Sequence, residues 1–148
     1  MIDVPLLRLD DGSAGPLPAP ARTRPGDAAA DLPSRVDVVI RPGQRLLVPT
    51  GFAVAIPIGA CGLILPRSGL ALNQGLTLLN SPGLIDSGYR GELQVLLYNT
   101  AEQSVSIERG QRIAQLLILA VDQLRLLEVD QLPPGPDDRG AAGFGSSG

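Results

Sequence analysis

A chain of 148 residues is sized for one domain with a substantial core, and with 44% apolar but only 3% aromatic residues that core must be built from Leu, Val, Ile and Ala. There is no His, all 12 basic residues are Arg, and Cys61 is the only cysteine; this excludes Ser-His-Asp and Cys-His machinery, His-ligated or thiolate zinc, Schiff-base lysines and a P-loop lysine. The net charge of −3 argues against non-specific nucleic-acid binding, and the 18 Gly and 14 Pro favour many short elements and an all-β design.

No basic segment precedes an apolar run at the N-terminus, and the longest apolar run, Leu116 to Val121, is far too short to span a membrane. The expected address is the cytoplasm. Ile2 to Leu9 reads as a short strand placed at an edge by Pro5. Asp10 to Pro25, rich in Pro, Ala and Gly, reads as a surface loop. Strands follow at Val36 to Ile40, Arg45 to Val48, Gly51 to Ile56 and Ala60 to Leu65, separated by the turn signals Arg41-Pro42-Gly43 and Pro57-Ile58-Gly59. Cys61, between apolar neighbours, reads as a small buried hydrophobe. Ser68 to Gly75 carries the signals of one short helix, with Ser68 as N-cap and Gly75 as the stop.

Leu76 to Leu79 reads as a strand leading into Asn80 to Asn99, which reads as a hairpin: Asn80-Ser81-Pro82-Gly83 and Ser87-Gly88 are turn chemistry, and Leu93, Val95 and Leu97 alternate at strand period. Leu96 and Tyr98 are apolar on the second face, so the far end of the return strand is expected to be buried on both sides. A further strand is expected at Ser104 to Ile107. Gln111 to Gln131 has the propensity of a helix but is apolar all round from Leu116 to Val121; two strands broken near Asp122 are the preferred reading. Pro133 to Gly148, which follows a domain of residues 1–132, has no core-forming composition and reads either as a disordered tail or as a segment that could wrap an anion, with Arg139 and the Phe144 ring among glycines and a Gly-Ser run that could expose backbone N–H groups to phosphate.

With His and Lys absent, a general base must be Asp or Glu, and between Asp37 and Glu102 the only carboxylates are Asp86 and Glu92. Asp86, set between Leu84-Ile85 and Tyr89, reads either as a turn former or as a base; Glu92 reads as a structural or solvated acid. Arg67 and Ser68 at a helix start are either an ordinary capped terminus or an anion grip. Gln115 reads as a core amide and Asp31 as a polar loop residue when each is taken alone.

Taken in order, five segments resemble the five motifs of the trimeric deoxyuridine triphosphatases: Ala28 to Leu32, Pro66 to Ala71, Asn80 to Glu92, Arg109 to Gln115, and Arg139 to Gly148. Ala29 and Ala142 stand where that family usually has Gly, and Pro33 where it usually has an aromatic residue. The resemblance implies a distorted β-barrel or jelly-roll (β-clip) subunit with one short helix. It implies a homotrimer with shared active sites, in which the arm of residues 133–148 closes over a neighbour's site. It favours strands for Gln111 to Gln131.

The resemblance also implies roles. Asn80, the backbone of Gly83, Leu84 and Ile85, and backbone near Gln94 would read the uracil edge, with Phe144 stacked on the base and Tyr89 under the deoxyribose. Arg67, Ser68, Gly69, Gln115, Arg139, Gly145 and Ser146 would hold phosphates. Asp86 would take a proton from the water that attacks the α-phosphorus of dUTP, giving dUMP and pyrophosphate. Mg²⁺ would be held mainly by phosphates and waters, with Asp31 acting indirectly through water. The rival readings are a dCTP deaminase-like enzyme of the same fold, which needs a further carboxylate where this chain has Val95, Leu96 and Leu97, and a non-catalytic trimeric nucleotide-binding protein.

Overall fold

The computed structural model describes residues 2–135. Ten short strands and one helix follow in the order β1 (Leu6–Arg8), β2 (Ala30–Pro33), β3 (Val38–Ile40), β4 (Arg45–Val54), β5 (Ala60–Pro66), α1 (Ser68–Gln74), β6 (Leu76–Leu78), β7 (Gly83–Ile85), β8 (Glu92–Asn99), β9 (Val105–Ile107) and β10 (Arg112–Ala120). Two four-stranded sheets, ordered β1-β4-β8-β6 and β2-β10-β5-β7, and the ribbon β3-β9 enclose one core. Every pairing is antiparallel. This is the expected all-β distorted barrel with one short helix.

Period-two alternation builds the core. Leu93, Val95 and Leu97 of β8 are fully buried in a single aliphatic cluster with Ile113 and Ala114 of β10, Leu32 of β2 and Val48 of β4. Asn99 is the exception, a fully buried amide. Its Nδ2 donates to the carbonyls of Ile40 (2.9 Å) and Gln103 (2.8 Å), and its Oδ1 accepts from the Ala101 N–H (2.9 Å), which closes the β8–β9 connection.

Several expectations are corrected. Arg45 to Val48 and Gly51 to Ile56 are not two strands but one, β4, whose pairing with β8 slips between Pro49 and Ala53. A bulge at Gly51, with φ of +81°, absorbs the slip. Asp10 to Pro25 is a loop, but its start is packed: Leu17 and Asp10 are buried. The Arg109 Nη2 donates to Asp10 Oδ1 (2.8 Å) and to the Gly15 carbonyl (2.9 Å). The hydrogen bond from Arg109 holds the Asp10 carboxyl below the usual carboxylate range, and Asp10 in turn raises Arg109. Arg67, not Ser68, is the cap residue of α1, and no side-chain bond caps the helix, because Ser68 is already helical; Gly75 stops the helix in the left-handed region as expected. Cys61 is half-buried, since it alternates with the buried Gly62 on the opposite face of β5. Finally, the expected strand after Asp122 is absent among the described residues. β10 already has a partner on each side, and the chain leaves the sheet where the Val121 N–H reaches the Gly59 carbonyl. Leu124, Leu126, Leu127 and Leu132 are left exposed.

The Asn80 to Asn99 segment is not a simple hairpin either. β8 pairs with β6, Leu76 opposite Asn99 and Leu78 opposite Leu97, but the long connection between them crosses to the other sheet, where β7 pairs with β5. Gly62 permits this crossing: a Cβ there would lie 2.9 Å from Ile56 Cδ1 and 3.2 Å from Ile85 Cβ. The second face of β8 is only half-buried at Leu96 and Tyr98, and Leu47 beside it is 52% exposed. No helix among the described residues is long and apolar enough to cross a membrane.

Candidate functional site

The expected site residues fall into two groups on opposite sides of β5. The first lies at the junction of β2, β10 and β5. A bulge in β10 between Arg112 and Ala114 sets Arg112 opposite Pro33 and Gln115 opposite Asp31. Pro33 and Asp31 are two apart on β2 and share a face, so the bulge brings Arg112 and Gln115 to that same face despite their three-residue spacing. Gln115 also lies opposite Leu65 on β5, two residues before Arg67.

Arg67 turns back into this group. Its Nε lies 3.0 Å from Asp31 Oδ1, and its Nη1 donates to the Arg112 carbonyl at 3.0 Å. Arg112 Nη1 lies 3.1 Å from Asp31 Oδ2, which also accepts from Thr23 Oγ1 (3.3 Å). Both oxygens of Asp31 are therefore engaged by guanidinium groups, and the two arginines concentrate positive charge there. Ser68 and Gly69 follow Arg67 at the exposed start of α1.

The second group is the turn between β7 and β8. Asn80 folds over Gly83, where a Cβ would stand 3.3 Å from Asn80 Nδ2. Gly83 is buried on β5, Leu84 is exposed and Ile85 is half-buried. The turn from Asp86 is closed by the Tyr89 N–H donating to the Asp86 carbonyl (3.1 Å), by the Tyr89 hydroxyl donating to the Glu92 carbonyl (2.8 Å), and by Arg90 Nη1 donating to the carbonyls of Ser87 (2.6 Å) and Tyr89 (2.7 Å). This backbone is held, yet the Asp86 carboxylate is exposed and has neither an ion pair nor a hydrogen bond among the described residues. Glu92 is the opposite case: its Oε1 accepts from the Gly51 N–H at 2.6 Å and lies 3.5 Å from Arg35 Nη1. Of the two mid-chain carboxylates, one is structural and one is available. Gln94 is exposed on β8 in the other sheet, opposite Pro49.

The structure does not bring the two groups together within one chain. Ile85, next to Asp86, sits opposite Gly62, and Arg67 lies five positions further along β5, about 16 Å at a strand rise of about 3.3 Å per residue. Arg67 also reaches toward β10 and β2, whereas β7 lies on the other edge of β5. A base acting through one water must stand within about 6 Å of the atoms it serves, two hydrogen bonds end to end. Arg139, Phe144, Gly145 and Ser146 lie outside the described residues.

No three His, Cys, Asp or Glu side chains among the described residues cluster to hold a metal ion. With Asp31 already paired, the donor set fits a hard cation carried by phosphate oxygens and water, not one caged by protein ligands. The sequence reading missed Arg112, Thr23 and the structural role of Arg35. Arg112 stands beside the expected Gln115, but only the β10 bulge shows that it faces Asp31.

The family model described as dUTPase matches residues 16–148. The chain is 51% identical over 146 residues to the deoxyuridine 5'-triphosphate nucleotidohydrolase of Nocardia farcinica, covering 98% of this chain and 85% of that protein. Among solved structures it is similar to a Staphylococcus bacteriophage 80alpha dUTPase variant with dUpNHpp, with a TM-score of 0.89, 29% identity, and coverage of 99% of this chain and 98% of that one. It is also similar to a dUTPase variant from phage phi11 of S. aureus whose structure reveals the coordination of a structural Mg(II) ion, with a TM-score of 0.80, 25% identity, and coverage of 89% and 99%.

Proposed function

The chain belongs to the dUTPase family, and from that premise we infer that it hydrolyses dUTP to dUMP and pyrophosphate. Within that activity, we propose Asp86 as the general base. The observation that carries this is the contrast between the two mid-chain acids: the Glu92 carboxylate is committed to Gly51 and Arg35, while Asp86 is exposed and, among the described residues, unpaired on a turn stitched by three side-chain hydrogen bonds. Asp86 takes a proton from water as the water oxygen bonds to the α-phosphorus. The bond from that phosphorus to the bridging oxygen breaks, and pyrophosphate leaves with the electron pair.

Asn80 with the backbone of Gly83, Leu84 and Ile85, and backbone near Gln94, would match the hydrogen-bonding edge of uracil. A site of fixed amides rejects cytosine because the mismatched groups stay buried and unpaired. Tyr89 would lie under the deoxyribose, and Phe144 on the base. Arg67, Ser68, Gly69, Gln115, Arg139, Gly145 and Ser146 would orient the phosphates, and Asp31 would hold Arg67 in place while bonding a metal-bound water. Mg²⁺, when bound to the phosphates, adds charge neutralisation that the arginines alone do not supply.

The proposed assembly is a homotrimer in which Asp86 of one subunit works beside Arg67 and Gln115 of another, with residues 133–148 serving a neighbour's site. Two observations support it. The separation of the groups along β5 keeps them apart within one chain, and apolar side chains at Leu47, Leu124, Leu126 and Leu127 are exposed among the described residues. The proposed address is the cytoplasm, where the deoxynucleotide pool resides. A dCTP deaminase is disfavoured because Val95 to Leu97 supply no further carboxylate, and the open Asp86 disfavours a non-catalytic binding protein. Pyrophosphate release measured across dUTP, dCTP, dTTP and UTP, with ammonia assayed for dCTP, tests the reading. Release from dUTP far above the others is expected; ammonia from dCTP would overturn it.

A further inference from the structure

The slip in the β4–β8 ladder leaves a gap that side chains fill, and the filling reaches the sugar side of the site. Pairing jumps from Pro49 opposite Gln94 to Ala53 opposite Glu92. Across the gap, Thr50 Oγ1 donates to the Leu93 carbonyl (2.7 Å), and the Gly51 N–H donates to Glu92 Oε1 (2.6 Å). Gly51 is itself immobilised: a Cβ on it would stand 2.6 Å from Leu17 Cδ2 and 3.3 Å from Asp10 Cβ, and Asp10 is tied to both Arg35 and Arg109. Arg35 lies 3.5 Å from the same Glu92 oxygen.

The backbone at Glu92 is thus clamped from below, and its carbonyl accepts the Tyr89 hydroxyl at 2.8 Å. The Tyr89 ring lies across Gly91 so closely that a Cβ at Gly91 would meet the hydroxyl at 2.5 Å and Cζ at 2.7 Å. Tyr89 remains 42% exposed, so one side of the ring is seated and the other is open. Its N–H holds the Asp86 carbonyl, which couples the seat to the base.

We propose that Gly91 and the clamped Glu92 form a seat that fixes the Tyr89 ring and thereby sets the selectivity for deoxyribose over ribose, Glu92 acting as a positioning residue through Tyr89. This rests on the reading that Tyr89 lies against the sugar. A ring tied at its hydroxyl cannot swing away from an added 2′-oxygen, whereas a released ring can.

The test is the ratio of kcat/KM for dUTP to kcat/KM for UTP in Glu92→Ala, Glu92→Gln, Gly91→Ala, Tyr89→Phe and Tyr89→Ala. Glu92→Ala and Gly91→Ala should each lower the ratio at least about tenfold, chiefly through a gain with UTP. Glu92→Gln keeps an acceptor for the Gly51 N–H and should restore most of the native ratio. Because Glu92 acts through the hydroxyl, Glu92→Ala should lower the ratio little further in the Tyr89→Phe background. A role in stability alone would lower both rates together and leave the ratio unmoved. If Tyr89→Ala leaves the ratio unchanged, the placement of Tyr89 at the sugar is wrong. If Tyr89→Ala lowers it while Gly91→Ala does not, the seat is wrong and the placement stands; Gly91→Ala, at an exposed turn position, decides this even if Glu92→Ala does not fold.

Discussion

Replacing Asp31 with Asn removes one charge and keeps the shape, which makes it a sharp probe of the arginine cluster. Two ion pairs are lost. The pair with Arg112, whose side chain is 50% exposed, is worth at most about 1 kcal/mol. Arg67 is only 24% exposed, its Nε is buried, and that nitrogen has no well-aligned hydrogen bond, so Asp31 compensates its charge chiefly by proximity at 3.0 Å. An arginine left this way costs between the surface value and the roughly 3–5 kcal/mol of a fully buried orphan, so about 1–2 kcal/mol is reasonable. The whole substitution should therefore destabilise by about 2 kcal/mol, seen as a fall of the urea midpoint at unchanged m-value. If Asp31 serves the phosphates only by holding Arg67, kcat/KM for dUTP should fall about 5- to 30-fold, the kinetic equivalent of the roughly 1–2 kcal/mol assigned to the Arg67 pair. Arg112→Ala, which leaves the Arg67 pair intact, should lose far less. Native kcat/KM in Asp31→Asn, or an equal loss in Arg112→Ala, would refute the reasoning.

Three further outcomes follow from the structure. Asn99→Ala strips three hydrogen bonds from the β8–β9 connection and strands the Ile40 carbonyl in the core, so urea denaturation should show a loss of about 3 kcal/mol, and a loss below about 1 kcal/mol would contradict its buried role. The Asp10 carboxyl, held down by its hydrogen bond from Arg109, contributes stability that is present above the ordinary carboxylate pKa of about 3.9 and is lost as pH falls through its lower folded value. Asp10→Asn should accordingly flatten the decline of thermal stability below about pH 4; an unchanged profile would refute the clamp. Deleting residues 139–148 should leave a folded, associated protein by size-exclusion chromatography with turnover cut by orders of magnitude; loss of folding would show that the arm belongs to the core.

The alternation of Leu93, Val95 and Leu97 announced β8, and Gly75 announced the end of α1, because burial period and left-handed backbone leave local traces. Pairing partners leave none. Nothing in Gly83-Leu84-Ile85 says that it joins β5 and not β8, and the slip at Gly51 that merged two expected strands into β4 depends on Leu17 and Asp10, some forty residues earlier. The same limit governs the site. The absence of His and Lys narrowed the mid-chain base to Asp86 or Glu92, and the family resemblance pointed to Arg67 and Gln115, but only the β10 bulge could turn Arg112 onto Asp31. A second strand after Asp122 rests on the apolar pattern and the family resemblance, whereas the strand it would continue, β10, already has a partner on each side.

The proposed reaction depends on Asp86 as its base. Asp86→Asn leaves the stitched turn intact, since every bond that closes it uses backbone or the side chains of Tyr89 and Arg90. Steady-state pyrophosphate release from dUTP with Mg²⁺ should fall by about two to four orders of magnitude in kcat, the usual worth of a general base, with KM little changed. Release at the native rate from Asp86→Asn would contradict the account.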